Sequence, residues 1–323
     1  MKARVLAAAG VAMALAATLS GCMTVHGETA IVPATSKAEA KKVLKDFVTV
    51  TNKANQAYDA KLNATIERDA LGDIDQAGLK ARHAITPEGD EEYQPLKLTS
   101  TQFHIPQQAG WPKFFVVDAA SNKASEKRWM LVFARDSIDD KWKAAYLGLL
   151  NPDDVPDLAK DEDGYAKAVP NGGGADLLIA PDKLSKAYTT YLQDGKGSTF
   201  ADGPQTTEWR ERREKWANRP AARNEWADLP ADSEQYPPMG LYTEDGDALV
   251  FFASHHHTKQ TVAEGYTPKV DPLVEPLMKG EAKRSLTQML MGQQVVSVPA
   301  ADADEDQVGF LDRQSGVVSA EGE

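Results

Sequence analysis

Two spacings of apolar residues alternate along the chain. From Ser36 onward Val43, Leu44, Phe47, Val50 and Ala54 recur at helical intervals, and Tyr58, Leu62 and Ile66 carry the stripe on. Ser36 with Glu39 makes a capping box. The pattern predicts one helix running to about Asp69, with Gly72 as its stop, and a weaker one over 76–84 ended by Thr86-Pro87. The spacing then falls to two. Segments 93–105, 113–119, 128–135 and 142–150 read as strands bounded by turn residues, the last two joined by a hairpin connection at 136–140.

The second half follows the same order without repeating the residues. Pro181-Asp182 opens a helix with Leu184, Tyr188 and Leu192 on one face, and a Trp/Arg-rich helix covers 207–218. After a loop at 230–238, strands are predicted at 239–243, 248–255, 283–298 and 308–318. Residues 151–175 are rich in Pro, Asp and Gly and read as a linker. Helices followed by antiparallel meanders, with no βαβ alternation, give an α+β class and two domains, 36–150 and 176–323.

The first residues change the picture. Lys2 and Arg4 precede an uncharged run, Val5 to Leu19, shorter than the roughly 20 residues that span a bilayer. The run ends in Leu19-Ser20-Gly21-Cys22. This end resembles the lipobox of bacterial lipoproteins. The resemblance implies a signal peptide at 1–21, a diacylglyceryl group on Cys22, a tether over 22–35, and anchoring on the extracytoplasmic face of the cell membrane. Cys22 is the single cysteine, so no disulfide can form and the exported body depends on its packed core. Its formal charge, −12 with the leader's two cations included, argues against nucleic acid as a partner.

The segment Trp129-Met130-Leu131-Val132-Phe133-Ala134-Arg135, with Trp142-Lys143-Ala144-Ala145-Tyr146, looks like the long closing hairpin of nuclear-transport-factor-2-like and cystatin-like folds. Leu249-Val250-Phe251-Phe252-Ala253 and the strand at 308–318 resemble domains of unknown function in actinobacterial lipoproteins. The resemblance implies two cone-like domains, each with N-terminal helices on a curved antiparallel sheet, and no activity. A pocket between helix and sheet is expected, lined in the first domain by Trp129 and Tyr146, which equally suit a plain core.

Candidate chemistry is sparse. On a strand His255 and His257 face one way and His256 the other, and Glu264, the nearest carboxylate, lies beyond a turn sequence, so the run reads as a polar strand end and no metal ligand set is assigned. Asp302 to Asp306 begins like a calcium loop, but Gln307 and Arg313 stand where Gly and Glu are needed. Gly195 to Thr199 lacks the leading glycine of a phosphate loop, which falls on Thr190. No hydrolase motif, thiol nucleophile or cofactor site is found, so no catalytic residue is assigned.

The Trp209–Trp216 segment stands apart. The two tryptophans share a helix face, and Glu208–Arg212 and Glu211–Lys215 form i,i+4 pairs. Either both tryptophans pack beneath the helix, or Trp209, Arg212, Arg213 and Trp216, extended by Arg223 and Trp226, form a partner contact. The expected function is a membrane-anchored, non-enzymatic binding module for an envelope protein or small ligand. An envelope enzyme with a pocket in the cone is the alternative. A transporter's solute-binding component is disfavoured by the meanders, since it needs parallel βαβ sheets.

Overall fold

The computed structural model describes residues 30–170 and 173–323; Cys22 and the leader lie outside them. The first half contains β1 (Val32–Pro33), α1 (Lys37–Ala57), α2 (Ala60–Asn63), α3 (Asp69–Ile85), β2 (Leu98–His104), β3 (Pro106–Gln108), β4 (Lys113–Ser121), β5 (Ala124–Arg135) and β6 (Lys143–Leu150). Then follow β7 (Ala166–Lys167), α4 (Pro181–Asp194), α5 (Thr207–Ala217), β8 (Asn218–Arg219), β9 (Ala222–Pro230) and β10 (Met239–Tyr242). The chain closes with β11 (Ala248–Val262), β12 (Met278–Gly280), β13 (Ser285–Val298) and β14 (Gly309–Gly322).

The fold is α+β, with curled sheets that are antiparallel but for short edge pairings. One sheet has the order β2-β4-β5-β6; a second runs β12-β14-β13-β11-β9-β8, with β10 beside the first part of β11; a small third joins β1, β3 and β7. Side-chain alternation sorts the residues into layers. Phe115, Leu131 and Phe133 face α1, where they meet Ala40, Leu44 and Phe47. Phe114, Val116, Met130, Val132 and Tyr146 face the other way and pack against Leu249, Phe251, Met291 and Val295 of the second sheet. The opposite side of β11, with Val250 and Phe252, lies under Leu184, Tyr188 and Leu192 of α4. The layers are therefore helix, sheet, sheet, helix, and the central strands are near-continuous apolar runs because both faces are covered.

The predicted long N-terminal helix is two. Tyr58 turns left-handed at φ 51°, and the Asp59 carboxylate accepts from the amides of Lys61 and Leu62, starting a new turn. Gly72 does not stop a helix; it lies in the first turn of α3, where a Cβ would come within 3.1 Å of the Glu67 backbone. α3 leans across both sheets: Ala77 and Ala81 pack with Val317 and Val318 of β14, and a Cβ on Gly316 would come within 2.8 Å of Ile74. The border of the first sheet is finished by the second. The amides of Leu147 and Leu149 on β6 donate to Gln293 Oε1 (2.9 Å) and Asp312 Oδ2 (2.7 Å). Residues 151–170 run along β10 and β3, with Leu158, Ala166 and Val169 buried and Val169 donating to the Gly240 carbonyl.

β9 was not predicted as a strand. Its inward positions include Asn224 and Asp228, both buried, and a strand whose covered face is polar has the composition of a loop. β9 pairs with the far end of β11, which runs to Val262 rather than stopping at His255.

Candidate binding site

α5 has almost no apolar face, and Arg213 is its one buried residue. The Arg213 guanidinium grips Asp228 on β9 with two bonds, Nη1 to Oδ2 at 2.6 Å and Nη2 to Oδ1 at 2.8 Å. The strand register sets Asp228 opposite His256. His256 Nδ1 stands 2.6 Å from Asp228 Oδ1, and its Nε2 stands 2.8 Å from Ser254 Oγ. Gln294 Nε2 then donates to Ser254 Oγ at 2.8 Å. A polar row thus runs from α5 across β9 and β11 to β13, inside an otherwise apolar layer.

Burial fixes the charges in this row. It drives the His256 pKa down to about 4, against the pull of the Asp228 hydrogen bond, so the ring is neutral. The neutral ring donates from Nδ1 to Asp228 and accepts the Ser254 hydroxyl proton at Nε2. Burial pushes Asp228 upward, but hydrogen bonds from His256 and Arg213 and the guanidinium charge outweigh it and hold the carboxyl below its ordinary value. Ser254, His256 and Asp228 have the connectivity of a serine–histidine–aspartate relay. Ser254 is 0% exposed, so its hydroxyl meets no substrate in this structure, and what the row does here is hold Arg213 in place.

Above Arg213 lies a hollow of about 210 Å³ lined by Trp209, Trp216, Trp226, Arg212, Arg213, Asn224 and Thr258. Trp209 is half-buried against the α4 layer, whereas Trp216 is 53% exposed. Trp209 thus packs beneath the helix as one of the two readings expects, Trp216 does not, and both edge the same hollow. Arginines stack on all three rings: Arg213 lies 5.2 Å from Trp209 and 5.8 Å from Trp226, and Arg219 lies 4.4 Å from Trp216. Arg212 and Arg313 add two more contacts to Trp209, at 5.2 and 4.4 Å. Glu211 and Lys215 pair at 3.8 Å as their spacing predicts; Arg212 instead donates to the Pro204 carbonyl.

The other predicted residues do not converge. Trp129 faces the α1 layer, whereas Tyr146 is fully buried on the opposite face of the sheet and donates to the Pro237 carbonyl at 3.1 Å. They share no cavity. A hollow of about 500 Å³ does lie between α1 and its sheet, lined by residues including Phe47, Phe133, Arg135 and Trp142. The three histidines separate as their alternation requires, with His255 packing edge-on to Tyr236 at 5.5 Å on the face opposite His256. Among the described residues no group of three or more His, Cys, Asp or Glu side chains could hold a metal ion.

Sequence reasoning missed Asp228, Ser254, His256 and Gln294 as one unit. The signal was Ser-x-His on a strand, two polar residues on the inward positions of an apolar run; their acidic partner lies on β9, a strand that apolar periodicity does not mark. It also missed the carboxyls at the start of α3. Asp69, at φ 50°, is pushed up to about 6 by burial, partly offset by its 2.8 Å ion pair with Arg68. Burial, with Asp75 nearby, raises Glu67 well above the carboxylate range.

Residues 31–322 match the family model described as "Domain of unknown function (DUF8094)". The chain belongs to this family. It is 47% identical over 315 residues to an uncharacterized lipoprotein of Streptomyces coelicolor, covering 97% of this chain and 93% of the relative. An uncharacterized lipoprotein of Streptomyces avermitilis is 46% identical over 317 residues, covering 98% and 95%. A second Streptomyces coelicolor lipoprotein is 24% identical over 289 residues, covering 86% and 81%. No solved structure matches. These relatives are lipoproteins by name, and among the described residues no helix is long and apolar enough to cross a membrane.

Proposed function

We propose that the protein is a lipid-anchored binding module of the cell envelope. It is held by a diacylglyceryl group on Cys22, displayed on the extracytoplasmic face, and engages its ligand or partner at the hollow edged by Trp209 and Trp216. The lipobox and the naming of the relatives support the anchor. Two acyl chains give stable attachment where one is marginal. The observation that carries the binding role is the hollow: three tryptophans and two arginines lie around one opening on an acidic chain, with Arg213 fixed by two hydrogen bonds. Exposed Trp and clamped Arg are the residue types that dominate binding hot spots.

The test is retention of the full lipidated protein, in detergent, on isolated cell-envelope material. Trp216→Ala and Arg212→Ala are expected to weaken retention at least tenfold with unchanged thermal melts. Equal retention of parent and variants overturns the role of the hollow.

A second reading, an envelope enzyme, draws on the Ser254–His256–Asp228 relay and requires the helical layer over β11, where Tyr188 of α4 meets His256, to open. Labelling of Ser254 by a fluorophosphonate probe, lost in Ser254→Ala, would favour it over binding alone.

A further inference from the structure

We infer that the hollow beside Trp209 recognises an acid: a ring-bearing anion, such as a sugar carrying a carboxylate or phosphate, with its charge toward the arginines grouped at Trp209 (Arg212 and Arg213 in the lining, Arg313 behind the ring) and its ring against the tryptophans. This rests on the binding role proposed above and names the ligand class.

Charge is the first ground. Arg212, Arg213 and Arg313 gather round the Trp209 ring at 5.2, 5.2 and 4.4 Å. Asp228 is the carboxylate that reaches this group, and its oxygens are already taken by Arg213 and His256. Among the described residues Arg213 alone of the three forms an ion pair, so Arg313, with Nε and Nη2 buried, leaves an excess of positive charge inside a low-dielectric layer, and the exposed Arg212 adds a further one at its rim.

Unpartnered donors are the second ground. Nε and Nη2 of Arg313, Nε of Arg213 and Nε1 of Trp209 are all buried without a hydrogen-bond acceptor. Arg213 is 9% exposed and lines the hollow. Native proteins rarely leave buried donors unpaired, and here four of them cluster at one ring. A carboxylate or phosphate offers the bidentate acceptor that guanidinium groups match best.

Size and surface define the rest of the ligand. Pockets that enclose drug-sized molecules run to about 300–1,000 Å³. This hollow, at about 210 Å³, suits one ring-sized unit, free or at the end of a longer chain. Trp216 and Trp226 supply flat apolar faces for it. Because the chain as a whole is acidic, recognition depends on the local arginines rather than on long-range attraction, so binding is expected to change little with moderate salt.

The experiment titrates the full lipidated protein in detergent, by calorimetry and tryptophan fluorescence, with glucuronate, glucose 6-phosphate, inorganic phosphate and glucose. Either sugar acid is expected to bind at least tenfold tighter than glucose and than phosphate alone, and the tighter acid tells carboxylate from phosphate. Arg313→Gln should weaken the acids at least tenfold while raising the melting temperature by a few degrees, since an uncompensated buried charge is removed. A merely structural arginine would do the reverse. Arg212→Gln, at an exposed position, should weaken the acids less and leave the melt unmoved. Equal binding of glucose, no binding of either acid, or a lowered melt with unchanged affinity in Arg313→Gln overturns the inference. If Trp216→Ala still abolishes envelope retention in that event, the binding role stands and only the ligand class falls.

Discussion

α1 and α5 cover their sheets by different means. α1 lays Ala40, Leu44 and Phe47 on the first sheet, and Phe47 meets Phe133 edge-on at 5.4 Å. α5 covers the second sheet with an arginine gripping an aspartate, and with tryptophans that stack on guanidinium groups as much as on the core. An apolar contact tolerates small shifts of either surface. A bidentate ion pair fixes direction, and holding a site's donors in a stated geometry needs the second kind of contact. The cost is that breaking one partner leaves a buried charge.

The largest effect should come from that difference. Phe47→Ala and Asp228→Ala are each expected to cost about 3–5 kcal/mol in urea unfolding, one by opening a cavity and the other by stranding Arg213 and His256. Adding Arg213→Met to Asp228→Ala should restore part of the loss, because removing both charges is far cheaper than removing one. No second truncation can do this for Phe47. A loss under about 1 kcal/mol in Asp228→Ala would mean that α5 is held by something else.

The next effect is read against pH. His256 has a folded value near 4, below its ordinary 6.5, so its contribution is whole above pH 6.5 and lost as pH falls toward 4. Asp69 has a folded value near 6, above 3.8, so its contribution is whole below pH 3.8 and lost as pH rises to 6. Each is worth about 3 kcal/mol at 1.36 kcal/mol per unit, and over the shared range they oppose each other. Asp69→Asn, which also suits the positive φ, should therefore gain nothing over the parent at pH 4 and up to about 3 kcal/mol at pH 7. A gain independent of pH would contradict this.

The smallest effect separates binding from packing. Trp216→Ala should change stability by no more than about 0.5 kcal/mol, as surface substitutions do. The matching Trp209→Ala, half-buried against α4, should cost clearly more in the same unfolding measurement.

The same contrast explains what could be read from the sequence. α1, the meander over β4 to β6 and the central runs of β11 and β13 are built from apolar periodicity, and that is the signal a sequence displays. The break at Tyr58-Asp59 was hidden because the apolar stripe continues through it; a side-chain cap, not the pattern, decides it. β9 was hidden because its buried face is Asn224 and Asp228. The Trp209–Trp216 helix showed its unusual composition, and four residues named from it meet at one hollow. What those residues stand on was invisible, since Asp228, Ser254, His256 and Gln294 come from three strands whose registers only folding sets. Trp129 and Tyr146 were paired by their nearness in the hairpin, whereas alternation turns them to opposite faces.

The finished border at β6 has a bearing on crowding. A protein confined to the plane of a membrane, as its lipoprotein relatives suggest, meets its neighbours at high local density and often edge to edge. With the Leu147 and Leu149 amides already bound by Gln293 and Asp312, that border offers an approaching strand no template. Two side chains on the second sheet thus guard the first against self-assembly, and their removal is where misassociation of the anchored protein would begin.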